Sequence, residues 1–188
     1  MSHAVSNPSP RSDEPGPSSG GEPSISKHEP IFDLKGIDLG ACRADKEEIA
    51  RWNPHRGVMA LVDKVVWLSD DLTRGVGLKH IKDDEFWVPG HFPGKPMYPG
   101  VLMIESAAQF ASYMFSFRKG EPTLAAFLRI EDAAFRNMVV PGDDLVILNQ
   151  NVRMQRKRFV CRVQGLVGMG TRAERVAFDA TVSGMAIE

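Results

Sequence analysis

The sequence predicts an α+β fold, an antiparallel sheet wrapped around one long central helix, and three observations carry that reading. The run from Val101 to Phe117 is apolar on nearly every side and contains no proline or glycine, the pattern of a helix buried all round. Segments of strand character precede and follow it, rich in β-branched and aromatic residues. Only turn and loop signals separate those segments, so neighbouring strands are expected to run antiparallel around the single helix.

Taken in order, the first thirty residues hold six of the 13 prolines and eight serines, with almost no large apolar side chain. Such a stretch cannot bury enough surface to offset its chain entropy, and residues 1–30 are read as a disordered Pro/Ser-rich tail. No apolar core follows Met1, as a secretory signal would require, and Asp13, Glu14, Glu22 and Glu29 argue against a transit peptide. A cytoplasmic location is the expectation. Residues 31–53 form an N-terminal extension in which Asp45 to Ile49 opens a short helix that Pro54 stops. The folded domain is placed at residues 54–188. Within it, Met59 to Leu68 reads as a strand, Ser69-Asp70-Asp71 as a turn and Leu72 to His80 as a second strand. A loop dense in proline and glycine follows, from Pro89 to Pro96, and Pro99-Gly100 opens the helix. Four strands come after Gly120: Leu124–Phe135, Leu145–Arg158, Phe159–Val167 and Arg175–Met185. This order is that of the hot-dog fold.

Composition excludes several classes of function. Lys plus Arg number 23 against 24 Asp plus Glu, so no basic surplus points to nucleic acid. No apolar run reaches the roughly 18 residues of a membrane span, since Glu105 and Gln109 interrupt the longest. Cys42 and Cys161 make neither a disulfide framework nor a metal knuckle. His3, His28, His55 and His80 are scattered without metal-ligand spacing, and no metal site is expected.

Three features carry chemistry. Glu105 lies on the helix among Met103, Ile104, Ala107 and Ala108, where ionisation without a partner costs several kcal/mol, so the uncharged acid is favoured. Gln109 sits one turn later on the same face and can orient it. A structural ion pair with Arg136 is the bland alternative. His91, held between Gly90 and Phe92-Pro93-Gly94, is an imidazole that can act as a base near neutral pH; a loop histidine bonded to a carbonyl is its bland counterpart. The amides at Gly100 and Val101 open the helix without intrahelical partners and suit a developing oxyanion. Arg153, Arg156, Lys157 and Arg158 form a basic cluster, read either as a solvated hairpin edge or as a dock for an acidic carrier. Gly90 to Lys95 lacks the spacing of a phosphate loop, Gly165 to Gly170 falls between strands rather than before a helix, and no GxSxG is present.

The stretch from Gly90 to Gln109, GHFPGKPMYPGVLMIESAAQ, closely resembles the GHFPGxPxxPGVLxxExxAQ motif of the β-hydroxyacyl-acyl carrier protein dehydratases. Pro54-His55-Arg56 with Leu61 to Val65 is similar to that family's PHR…LVDxV opening, and Phe135-Arg136 with Val139 to Asp143 to its ARFxxxVxPGD segment. The resemblance implies a hot-dog homodimer, often three dimers together, that removes water from a 3-hydroxyacyl thioester on acyl carrier protein to leave the trans-2-enoyl thioester in fatty acid biosynthesis. It further implies that His91 takes the C2 proton, that Glu105 of the partner subunit protonates the departing hydroxyl, that the Gly100 amide polarises the carbonyl, and that no cofactor takes part. Glutamate at 105, rather than aspartate, fits the plain dehydratase. The chain departs from the family at Gly57-Val58-Met59, Tyr98 and Ser106. Two other readings keep the fold: an acyl thioesterase in which Glu105 activates water, and a non-catalytic acyl-binding subunit of a dehydratase complex.

Overall fold

The structure is a computed structural model that describes residues 29–171 and 174–187; most of the proline-rich tail lies outside the described residues. Helix α1 spans Lys46–Trp52, capped by Asp45, whose carboxylate accepts the Glu48 amide. Two acidic residues in its first turn suit the positive end of the helix dipole. It ends at Asn53, just ahead of Pro54. Strands β1 (Lys64–Leu68) and β2 (Arg74–His80) form a hairpin. The long helix α2 (Gly100–Lys119) follows, and then β3 (Ala125–Phe135), β4 (Asp144–Met154), β5 (Arg158–Val167) and β6 (Arg175–Ala186). All six strands join one antiparallel sheet in the order β1-β2-β4-β5-β6-β3.

Helix α2 lies in the hollow of this sheet, with Ala107, Phe110, Ala111, Tyr113 and Met114 all but sealed from solvent. Small residues in β2 make room for it. A Cβ at Gly75 would stand 2.6 Å from Met114 Sδ and 2.9 Å from the Phe110 ring, and one at Gly77 would press on the same ring at 3.2 Å. The sheet can therefore close on the helix only where β2 carries no side chain on that side. The helix stops at Gly120, whose φ of +80° is the left-handed conformation that closes a helix C-terminus. Among the described residues no helix is long and apolar enough to cross a membrane.

The expected first strand is shorter than its apolar pattern suggested. Residues Gly57–Met59 turn as a 3₁₀ helix, and pairing starts only at Lys64. The reason lies in Gln109: its side chain accepts the Leu61 amide at 3.0 Å and donates to the Met59 carbonyl at 2.9 Å. Those backbone groups are thereby satisfied by a helix side chain rather than by a strand partner.

Residues 29–44 cross the outer face of the sheet. Phe32 is buried with Val66, Val76, Leu78, Val146, Leu148, Leu166 and Val176, and Ile31, Leu34, Ile37 and Leu39 pack beside it. Gln164 pins the segment by accepting the Ile31 amide at 2.9 Å and donating to the Glu29 carbonyl at 3.1 Å. Ala44 then bridges to Val65 at the edge of β1.

Candidate active site

The start of α2 is open. Pro99 precedes it without a side-chain cap, and the Leu102 and Met103 amides turn back to the Pro99 carbonyl. This leaves the amides of Gly100 and Val101 without an intrahelical partner at the positive end of the dipole. The Val101 side chain is exposed. A Cβ on Gly100 would come within 2.8 Å of the Phe135 ring, so glycine is required here by the packing of β3 against the helix start.

His91 sits in the loop just before α2. Its Nδ1 lies 2.7 Å from the Met97 carbonyl, and the Met97 amide returns to the His91 carbonyl at 2.8 Å. A carbonyl can only accept, so the ring proton belongs on Nδ1 and the lone pair on Nε2, the arrangement of a general base. Phe92 stacks on the imidazole with ring centroids 4.1 Å apart. Tyr98, which follows Met97, is buried with its hydroxyl 2.9 Å from Ser106 Oγ. Tyr98 and Ser106, two departures from the family pattern, are thus one hydrogen-bonded pair, and burial pushes the tyrosine hydroxyl up from its ordinary range.

Glu105 projects from the second turn of α2. Its side chain keeps 27% of its exposure in the single chain, so the fully apolar surroundings expected of it are corrected to a half-buried site with polar company. Gln109 donates to Oε1 at 2.9 Å, and His55 Nε2 lies 3.5 Å from the same oxygen. Because Gln109 Oε1 accepts an amide, its nitrogen can be identified from the backbone alone, and it is a donor to Glu105. Oε1 is then the acceptor end of the carboxyl, and an acid proton belongs on Oε2. Arg136 turns to Asp179 instead of Glu105. Beside the carboxyl opens a narrow pocket bounded by His55, Ala108, Ser112, Phe127 and Phe159.

His55 is the residue that sequence reasoning missed. In the sequence it is one of several scattered histidines, and the signal that sets it apart is its place between Pro54 and Arg56. Arg56 gathers the carbonyls of Ala50, Asn53 and His55, and Asn53 donates to the Gln109 carbonyl at 2.8 Å, which fastens this loop to α2.

Within the one chain, His91 turns to Met97 and Glu105 to Gln109 and His55, and no contact among the described residues joins the two. The basic cluster occupies the β4–β5 hairpin. Arg153 and Arg158 line a groove of about 370 Å³ with Leu128, Arg129 and Glu131, and the groove shares Phe159 with the pocket beside Glu105. No group of three or more His, Cys, Asp or Glu residues placed to hold a metal occurs among the described residues.

A helix enclosed by an antiparallel sheet, with an imidazole, an oriented carboxyl and an open helix start near one another in sequence, defines a hot-dog protein equipped for acid–base chemistry. A family model described as a FabA-like domain matches residues 53–174, and the chain belongs to that family. Among curated relatives, the 3-hydroxyacyl-(acyl-carrier-protein) dehydratase FabZ of Sinorhizobium fredii is 39% identical over 121 residues, covering 63% of this chain and 78% of the relative. The FabZ of Pseudothermotoga lettingae is 35% identical over 125 residues, covering 64% and 87%. These place the chain with the FabZ-type dehydratases. Of solved structures, the dehydratase heterocomplex ApeI:P from Xenorhabdus doucetiae aligns with a TM-score of 0.63 at 18% identity, covering 74% of this chain and 91% of that one, a likeness of fold.

Proposed function

We propose that this chain dehydrates 3-hydroxyacyl thioesters carried on acyl carrier protein to trans-2-enoyl thioesters, a step of fatty acid biosynthesis. The observation that carries the reading is the pair of oriented groups: an imidazole with Nδ1 committed to Met97 and a carboxyl with Oε1 committed to Gln109. His91 Nε2 takes a proton from C2 while the thioester oxygen gains charge against the Gly100 amide, with Val101 beside it. Glu105 then gives its Oε2 proton to the hydroxyl on C3, the C–O bond breaks, and water leaves as the double bond forms. The His91 proton and the Glu105 carboxylate exchange with solvent to restore the starting state. No cofactor is required for this elimination.

His91 and Glu105 work together across a homodimer, so that each site takes Glu105 of the partner subunit. The outer edge of β3 supports this: β3 pairs with β6 on one side only, and Phe127, Leu128 and Ile130 are exposed along it. The groove at Arg153 and Arg158, with Arg156 and Lys157 in the adjoining turn, is the dock for the acidic carrier, since it opens beside the pocket that holds Glu105. The catalytic domain comprises residues 54–188, with 31–53 as an extension, and the protein works in the cytoplasm.

The test is an assay with carrier-linked 3-hydroxybutyryl and crotonyl thioesters. Interconversion of the two by loss and gain of water is expected. Release of free thiol without it would assign the chain to thioester hydrolysis instead.

A further inference from the structure

The geometry points to His55 as a positioning residue for Glu105, one that holds Oε1 as the acceptor end of the carboxyl and supports the carboxylate left when the proton is given up; this rests on the dehydratase reading above. His55 Nε2 faces Oε1 at 3.5 Å, just beyond an ordinary hydrogen bond and within reach of one when substrate closes the site. The other ring nitrogen, Nδ1, is buried with no partner among the described residues. A neutral imidazole carries one N–H, and a buried N–H without an acceptor is costly, so the ring proton belongs on Nε2, aimed at the carboxyl.

Two donors then converge on one oxygen, the Gln109 amide at 2.9 Å and the His55 ring. Neither leaves Oε1 able to carry the acid proton, which is confined to Oε2. Once Glu105 has donated, the same two N–H groups face a full negative charge, so their attraction is stronger after proton transfer than before it. That is the condition for a contact to speed the chemical step rather than merely to bind substrate. The loop is built to keep the ring there: the Arg56 guanidinium ties the His55 carbonyl to those of Asn53 and Ala50, and the Asn53 amide ties the loop to α2 at Gln109.

The experiment is a double-mutant cycle read in steady-state dehydration of 3-hydroxybutyryl thioester, with circular dichroism melts as the folding control. H55A is expected to lower kcat about tenfold or more while KM changes less than about threefold, and to lower it less than about twofold when introduced into E105Q, whose acid is already gone. H55Q, which returns an N–H, is expected to recover most of the loss. Should H55A melt below the assay temperature, H55Q is compared with H55F, and the same gap is expected between the variant with a donor and the one without. A kcat within twofold of the unmodified protein, or an equal loss in the E105Q background, would overturn the inference. Those outcomes leave the dehydratase reading intact as long as E105Q itself is impaired, whereas an active E105Q would remove the reading on which the inference rests.

Discussion

Gln109 settles which oxygen of Glu105 can hold a proton, and it does so with bonds that also fix the backbone at Met59 and Leu61. One side chain therefore joins stability to chemistry. Gln109→Leu is expected to orphan the buried Leu61 amide and the half-buried Met59 carbonyl, costing about 1–3 kcal/mol, and to lower kcat about tenfold through loss of carboxyl orientation. Urea denaturation and turnover measured on the same preparation check both halves. A variant as stable and as active as the parent would mean that the carboxyl is oriented by something else. At this scale His91, Glu105 and Gln109 were legible in the sequence because each sits in a tight local context, a glycine-flanked loop or one helical turn. His55 was not, because its role arises from a contact fifty residues away across the fold.

Among elements, α2 and the six strands could be read from the sequence, since α2 is one long apolar run without proline or glycine and turn or loop residues bound the strands. The crossing segment could not. Ile31, Phe32, Leu34, Ile37 and Leu39 follow neither a helical nor a strand period, and only the apolar outer face of the sheet, itself a product of the folded topology, explains them. The early end of the predicted first strand has the same origin, in a side chain from a distant helix. Phe32→Ala is expected to cost about 3 kcal/mol by opening this layer while leaving turnover per folded molecule unchanged. Chemical denaturation and kcat separate the two effects; an unchanged midpoint would show that the segment adds nothing to the fold.

For the molecule as a whole, several groups that ionise at high pH are locked inside. Burial pushes the Cys161 thiol from an ordinary value of 9.0 up to about 12, and the Tyr113 hydroxyl from 10.0 up to about 12; Tyr98 is raised by burial as well. Each stays protonated in the fold and loses its proton more readily in the unfolded chain. Their stabilisation is therefore complete below pH 9 and is lost progressively as pH rises toward 12. The urea midpoint is expected to fall steadily across that range, and at pH 8 a thiol reagent is expected to modify exposed Cys42 but reach Cys161 only after unfolding. A flat midpoint, or two reactive thiols in the native state, would contradict that interior. The most direct test of the shared site is to prepare H91A and E105Q separately, each with most of its turnover lost, and then refold them together. A mixed dimer has one site that draws His91 from one chain and Glu105 from the other, both intact, so activity should return to about a quarter of the parent level when half the dimers are mixed. No recovery, with mixed dimers demonstrated by mass, would contradict a site divided between two chains.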